Sequence, residues 1–149
     1  MAIFKLLHIL SIVIWVGGMF FAYMVLRPSA AEMLQPPERL RLWDKVFSRF
    51  FKWVWLAVIL VLVSGLFMIM LSGGMAVVPR FIHLMLLLGI VMMLIFAHVY
   101  FGCYKGFRRM VSAQEWQKAG AMLAKIRKLI AVNLSIGLLT ITVAILGRI

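Results

Sequence analysis

Three histidines, His8, His83 and His98, stand within stretches of sequence that are otherwise apolar. An ionisable side chain in hydrocarbon is costly, so its default reading is functional. His8 and His83 share a local pattern. Lys5-Leu6-Leu7-His8 and Arg80-Phe81-Ile82-His83 each place a cation three residues before the histidine. On a helix that cation lies about one turn away on the same face. Two imidazoles at one depth suit the axial ligands of a haem, and cations one turn outward suit its propionates. Lys5 and Arg80 can also simply snorkel to lipid headgroups.

His98 follows His83 by fifteen residues, about 22 Å along a helix, so the two cannot share an iron. Three roles stay open for it: ligation of a second haem with Met24, a hydrogen bond to Asn133, or a place among the headgroups beside Tyr100 and Tyr104. Trp15 is seven residues after His8 and on its face, and Gly17-Gly18 allow close approach by a helix or a flat macrocycle. Ser64-Gly65, Ser135 and Gly137 read as ordinary packing positions. Twelve methionines, among them Met68, Met70, Met92 and Met93, raise copper as a ligand. Thioethers suit Cu(I), although methionine is also a common apolar filler. No carboxylate falls inside an apolar run, and there is no glycine-rich phosphate loop or Ser-His-Asp pattern. Cys103 stands alone, which excludes an internal disulfide and a cysteine-based zinc site.

Four apolar segments must position these residues, at about 3–26, 53–72, 81–103 and 129–146. Each is close to the roughly 20 residues that a helix needs to cross hydrocarbon. The 149 residues are 66% hydrophobic, which predicts a single transmembrane domain. The expected fold is all-α, an integral membrane four-helix bundle running up-down-up-down. In it the first and third spans face each other diagonally and enter from one side, bringing His8 and His83 to nearly one depth. The first apolar run is too long for a cleaved signal, and Arg27-Pro28 interrupts it before any small-residue site, so we expect a retained span.

Charge sets the orientation. Thirteen of the sixteen Lys and Arg fall in the first and third loops; only Lys5, Arg80 and Arg148 fall elsewhere. That asymmetry predicts cytoplasmic first and third loops, with both termini outside. The net charge of +12 lies in two blocks between apolar segments, a distribution suited to anionic headgroups rather than nucleic acid. In the first loop Pro37-Glu38 can open a helix, and Trp43, Val46, Phe47, Phe50 and Phe51 recur at helical spacing. This amphipathic helix should lie on the inner leaflet or bend into the second span. Gly73-Gly74 should end the second span and Pro79 open the third. Ser112-Ala113-Gln114-Glu115 has the form of a capping box, after which a cytoplasmic helix should run unbroken into the fourth span. No repeat of the solenoid kind is visible.

The first span, KLLHILSIVIWVGGMFFAYMVLRP, resembles the opening helix of the CopD-like bacterial membrane proteins in its early histidine, its Trp-x-Gly-Gly motif and its Arg-Pro exit. The third span resembles that of the related HemJ-type protoporphyrinogen oxidases, in which a second histidine also follows the first by about fifteen residues. The resemblance implies copper uptake or resistance in the first case and haem b binding in the second, with His8 and His83 as ligands. Two positions depart from the HemJ pattern: Trp43 precedes Asp44 where methionine is expected, and Met85 stands where lysine is expected.

These observations favour a b-type haem protein of the bacterial inner membrane engaged in one-electron transfer near the outer face. His8 and His83 would be its axial ligands, Lys5 and Arg80 its propionate partners, and Trp15 and Gly18 part of its pocket. Beyond the lipid bilayer, a quinone or a periplasmic redox partner would exchange electrons with it. The rival readings are a CopD-type copper transport or resistance protein, a HemJ-type oxidase, and a subunit of a larger membrane complex or homo-oligomer.

Overall fold

The computed structural model describes residues 1–147, so Arg148, counted above among the outer cations, lies outside the described residues. The chain is helical throughout: α1 Ala2–Phe21, a π-helical turn Ala22–Leu26, α2 Arg27–Met33, α3 Pro36–Leu71, α4 Arg80–His98, a second π-helical turn Val99–Tyr104, α5 Lys105–Ser112 and α6 Trp116–Leu146. Among the described residues there is no strand. Four continuous helical stretches are long and apolar enough to cross a membrane: Ala2–Met33, Pro36–Leu71, Arg80–Ser112 and Trp116–Leu146. In hydrocarbon every backbone polar group must be satisfied within the segment, and these sequences do so as helices.

All four stretches overrun the expected spans at their basic ends. The amphipathic first-loop helix is not a separate surface element; it is the opening of α3. Pro36 and Pro37 occupy its first positions, where a missing N–H costs nothing. The third-loop helix likewise continues into the fourth span as α6. The expected capping box does not form. Ser112 is the last residue of α5, Gln114 turns the chain at φ +57°, and Glu115 precedes α6 without a side-chain cap.

At the opposite end the glycines act as expected. Gly73 and Gly74 take φ of +101° and +89°. Gly74 N–H donates to the Ile69 carbonyl at 2.9 Å and Gly73 N–H to the Met70 carbonyl at 3.2 Å. That is a Schellman termination. Pro79 then precedes Arg80, the first residue of α4.

The element order of the first half recurs in the second: long helix, π-helical turn, short helix, a break of two or three residues, long helix. The two halves are therefore two helical hairpins of like build. The α1 helix packs mainly along α3, and α4 mainly along α6. The α6 helix also touches both α1 and α3, whereas α4 makes little backbone contact with either. Large rings bridge that gap. Phe96 of α4 lies edge-on to Trp15 at 6.3 Å and to Trp55 at 5.0 Å.

Burial is uneven along the bundle. Phe47, Phe51, Cys103, Phe107, Ala119 and Ile126, all toward the basic end, are almost wholly enclosed. At the other end no residue of α4 before Met92 is buried, and none of α6 after Gly137. Outward faces carry exposed large apolar side chains such as Ile9, Val13, Leu87 and Leu94, as contact with lipid requires. Because the Gly73 backbone is left-handed, Gly73→Ala should destabilise the protein by about 1–2 kcal/mol, read as a lower thermal midpoint in mild detergent with helix content unchanged.

Candidate functional site

His8 is half-buried in the seam between α1 and α3, with its Nδ1 2.9 Å from Ser64 Oγ. The direction of that bond follows from the serine. Ser64 has one hydroxyl proton, and it donates that proton to the Leu60 carbonyl at 2.5 Å. Its oxygen must then accept from His8 Nδ1–H. An imidazole protonated at Nδ1 suits this arrangement and carries its lone pair on Nε2.

The surroundings of His8 are built to hold it. A Cβ at Gly65 would stand 3.3 Å from His8 Cε1, so the missing side chain makes room for the ring. Ser11, one turn along the same face, is buried and satisfies itself on the Leu7 carbonyl at 2.7 Å. One turn outward, Phe4 stacks on Phe67 with ring centres 5.0 Å apart. His8, Ser11 and Ser64 form a small polar island closed from outside by two aromatic rings. Ser64-Gly65, read from sequence as ordinary packing, is the seat of the imidazole.

The other expected site residues are distributed as follows. His83 is exposed, and its Nδ1 lies 3.3 Å from the carbonyl of Pro79 in its own turn. Lys5 and Arg80 are exposed as well. Trp15 is buried against Phe96. Gly18 receives Phe50 of α3: a Cβ there would overlap that ring. The space beside Gly18 is therefore filled by an aromatic side chain. Gly137 is a packing position, facing Val16 and Met92.

His98 has a neighbour that the sequence did not suggest. Its Nε2 is 4.0 Å from Sγ of the fully buried Cys103. The π-helical turn Val99–Tyr104 brings positions five apart onto one face, which an α-helix does not do. Gly102 makes room for the ring, since a Cβ there would come within 3.2 Å of His98 Nδ1. Asn133 is buried, and its Oδ1 has no hydrogen-bond partner. Among the described residues no group of three or more His, Cys, Asp or Glu converges as a metal cage.

The helices define a multi-pass membrane protein with one histidine, His8, held in the seam between two helices, while His83 and His98 are exposed. Residues 44–146 match the family described as copper resistance protein D, and the chain belongs to this CopD family. No curated protein and no solved structure matches it. His83, His98 and Ser64 fall inside the matched stretch, whereas His8 precedes it. Nitrogen NMR of ring-labelled protein should show His8 protonated at Nδ1 and bare at Nε2. Ser64→Ala should convert that signal to a mixture of tautomers.

Proposed function

We propose that the chain handles copper within the bilayer, as a CopD-type transport or resistance protein of the bacterial inner membrane, and that His8 is the centre of its ion site. The observation that carries this reading is the Ser64–His8 bond, which orients a half-buried imidazole and suits the tautomer with its lone pair on Nε2. Metal-binding histidines are commonly held in this way by a partner on the other ring nitrogen. The family description, copper resistance protein D, supplies the ion.

Met68 is the candidate second donor. It stands four residues beyond Ser64 on α3, hence on the same face and one turn outward. An imidazole and a thioether suit Cu(I), whose soft character favours sulfur and tolerates low coordination. With the basic ends of the helices in the cytoplasm, His8 and His83 both lie toward the outer face. His83, exposed at the loosely packed end of α4, would meet an ion arriving from that side. Copper is then the cargo, and the polar island of His8, Ser11 and Ser64 is a station on its path.

A haem b between His8 and His83 is the second reading, favoured by the free Nε2 of His8 and by the matched cations Lys5 and Arg80. The exposure of His83 and the Phe50 ring beside Gly18 favour copper over it.

Purified protein titrated with Cu(I) against a chromogenic chelator should bind the ion, and His8→Ala should abolish that binding. Ser64→Ala should weaken it by about 10–100-fold, the usual effect of removing such an orienting partner. Unchanged copper affinity in His8→Ala would sink the assignment. Sharp reduced haem bands in the as-isolated protein, lost in His8→Ala, would replace it with the haem reading.

A further inference from the structure

A cavity of about 280 Å³ opens at the basic end of the bundle, where α2, the start of α3 and the start of α6 meet. Three arginines line it, Arg27, Arg39 and Arg127, and no carboxylate does. Its deeper wall is apolar and aromatic, with Trp43, Phe47 and Ile130. Among the described residues none of the three arginines is in an ion pair; the two salt bridges, Arg108–Asp44 and Lys118–Glu115, are elsewhere.

Concentrating three cations around one cleft without a counter-ion costs self-repulsion that an anionic occupant relieves. Arg27 is also fixed in advance. Its Nε–H donates to the Tyr23 carbonyl at 3.2 Å, and its guanidinium lies 4.5 Å from the centre of the Tyr23 ring. The remaining N–H groups of Arg27 are free to form the bidentate contacts that guanidinium makes with phosphate. Trp116 of the lining is itself covered by Arg41, whose guanidinium lies 5.1 Å from the ring centre, a contact between α3 and α6.

We propose that this cleft binds the phosphate of an anionic amphiphile, a phospholipid headgroup held by Arg27, Arg39 and Arg127 with the start of its acyl chain against Phe47 and Ile130. The cationic mouth and apolar floor match both halves of such a molecule. The volume admits a headgroup and the glycerol region, with the rest of the chains lying along the bundle. Because α2, α3 and α6 all contribute, the lipid would tie the two hairpins together at their basic ends. The proposal does not depend on copper or on His8.

The test is native mass spectrometry of the full-length protein exchanged from phosphatidylcholine into mixtures with phosphatidylglycerol. Wild type should retain phosphatidylglycerol preferentially. Arg39→Gln/Arg127→Gln should lower that affinity by about fivefold for each arginine removed. Arg109→Gln/Lys125→Gln removes equal charge from the same end outside the cleft and should change it less than twofold. Equal losses in the two pairs, or no loss in the first, would overturn the proposal in favour of diffuse surface attraction. Arg127 is exposed, so Arg127→Gln alone folds without a packing penalty and serves if the double variant unfolds. Inorganic phosphate binding with the same variant dependence, but without lipid retention, would support the anion site and assign it to free phosphate.

Discussion

The stacked pair Phe47–Phe51, with ring centres 5.0 Å apart, is the contact on which the assembly of the bundle depends. Both rings project from α3, and between them they meet Tyr104 and Phe107 edge-on, then Phe96 and Tyr100. These contacts join the first hairpin to the second where the backbones of α3 and α4 stay apart. In lipid there is no hydrophobic drive to bring helices together, because the solvent is as apolar as the side chains; shape and dispersion must do it. Flat rings in alternating stacked and edge-on arrangement supply both at long reach. The basic end is therefore where the fold is fixed.

That placement explains the uneven core. With the hairpins pinned at one end, the far halves of α4 and α6 need not be enclosed, and they are not. The far end of the α1–α3 seam is held differently, by one ring pair and a serine. Ser64 and Ser11 both return their protons to their own helices. Each therefore costs little in hydrocarbon while offering a lone pair to a neighbour. His8 uses one of them, so a polar side chain is tolerated at depth because its cost was already met locally.

Much of this was legible in the sequence. The four spans, their basic ends and the Gly73-Gly74 stop follow from hydropathy, charge and the demand for positive φ. So do the continuations of the loop helices into α3 and α6, since Trp43, Phe47 and Phe51 keep one helical face. What could not be read was pairing. Nothing in a one-dimensional pattern says that His8 faces Ser64, because depth along a helix does not fix rotation about its axis. Ser64-Gly65 did carry the signal, a hydroxyl acceptor beside a gap, but such pairs are also common packing devices. The capping box failed because its serine was absorbed into α5. The His98–Cys103 pair was hidden because an α-helical register separates positions five apart, and only a π-helical turn joins them.

The two π-helical turns have a common consequence. Each interrupts the helix in an equivalent place of its hairpin, at Ala22–Leu26 and at Val99–Tyr104. A π-helical turn widens the helix and rotates everything after it relative to the span before it. In the second hairpin the turn and the segment after it set Tyr104 and Phe107 against Phe47, whereas Arg27 reaches Tyr23 at ordinary helical spacing, four residues back. A straight α-helix through Val99–Tyr104 would rotate Phe107 away from the Phe47 ring and lose that seam. The extra residue in this turn therefore sets the relation between the membrane-embedded half, where the histidines lie, and the basic half that holds the bundle shut.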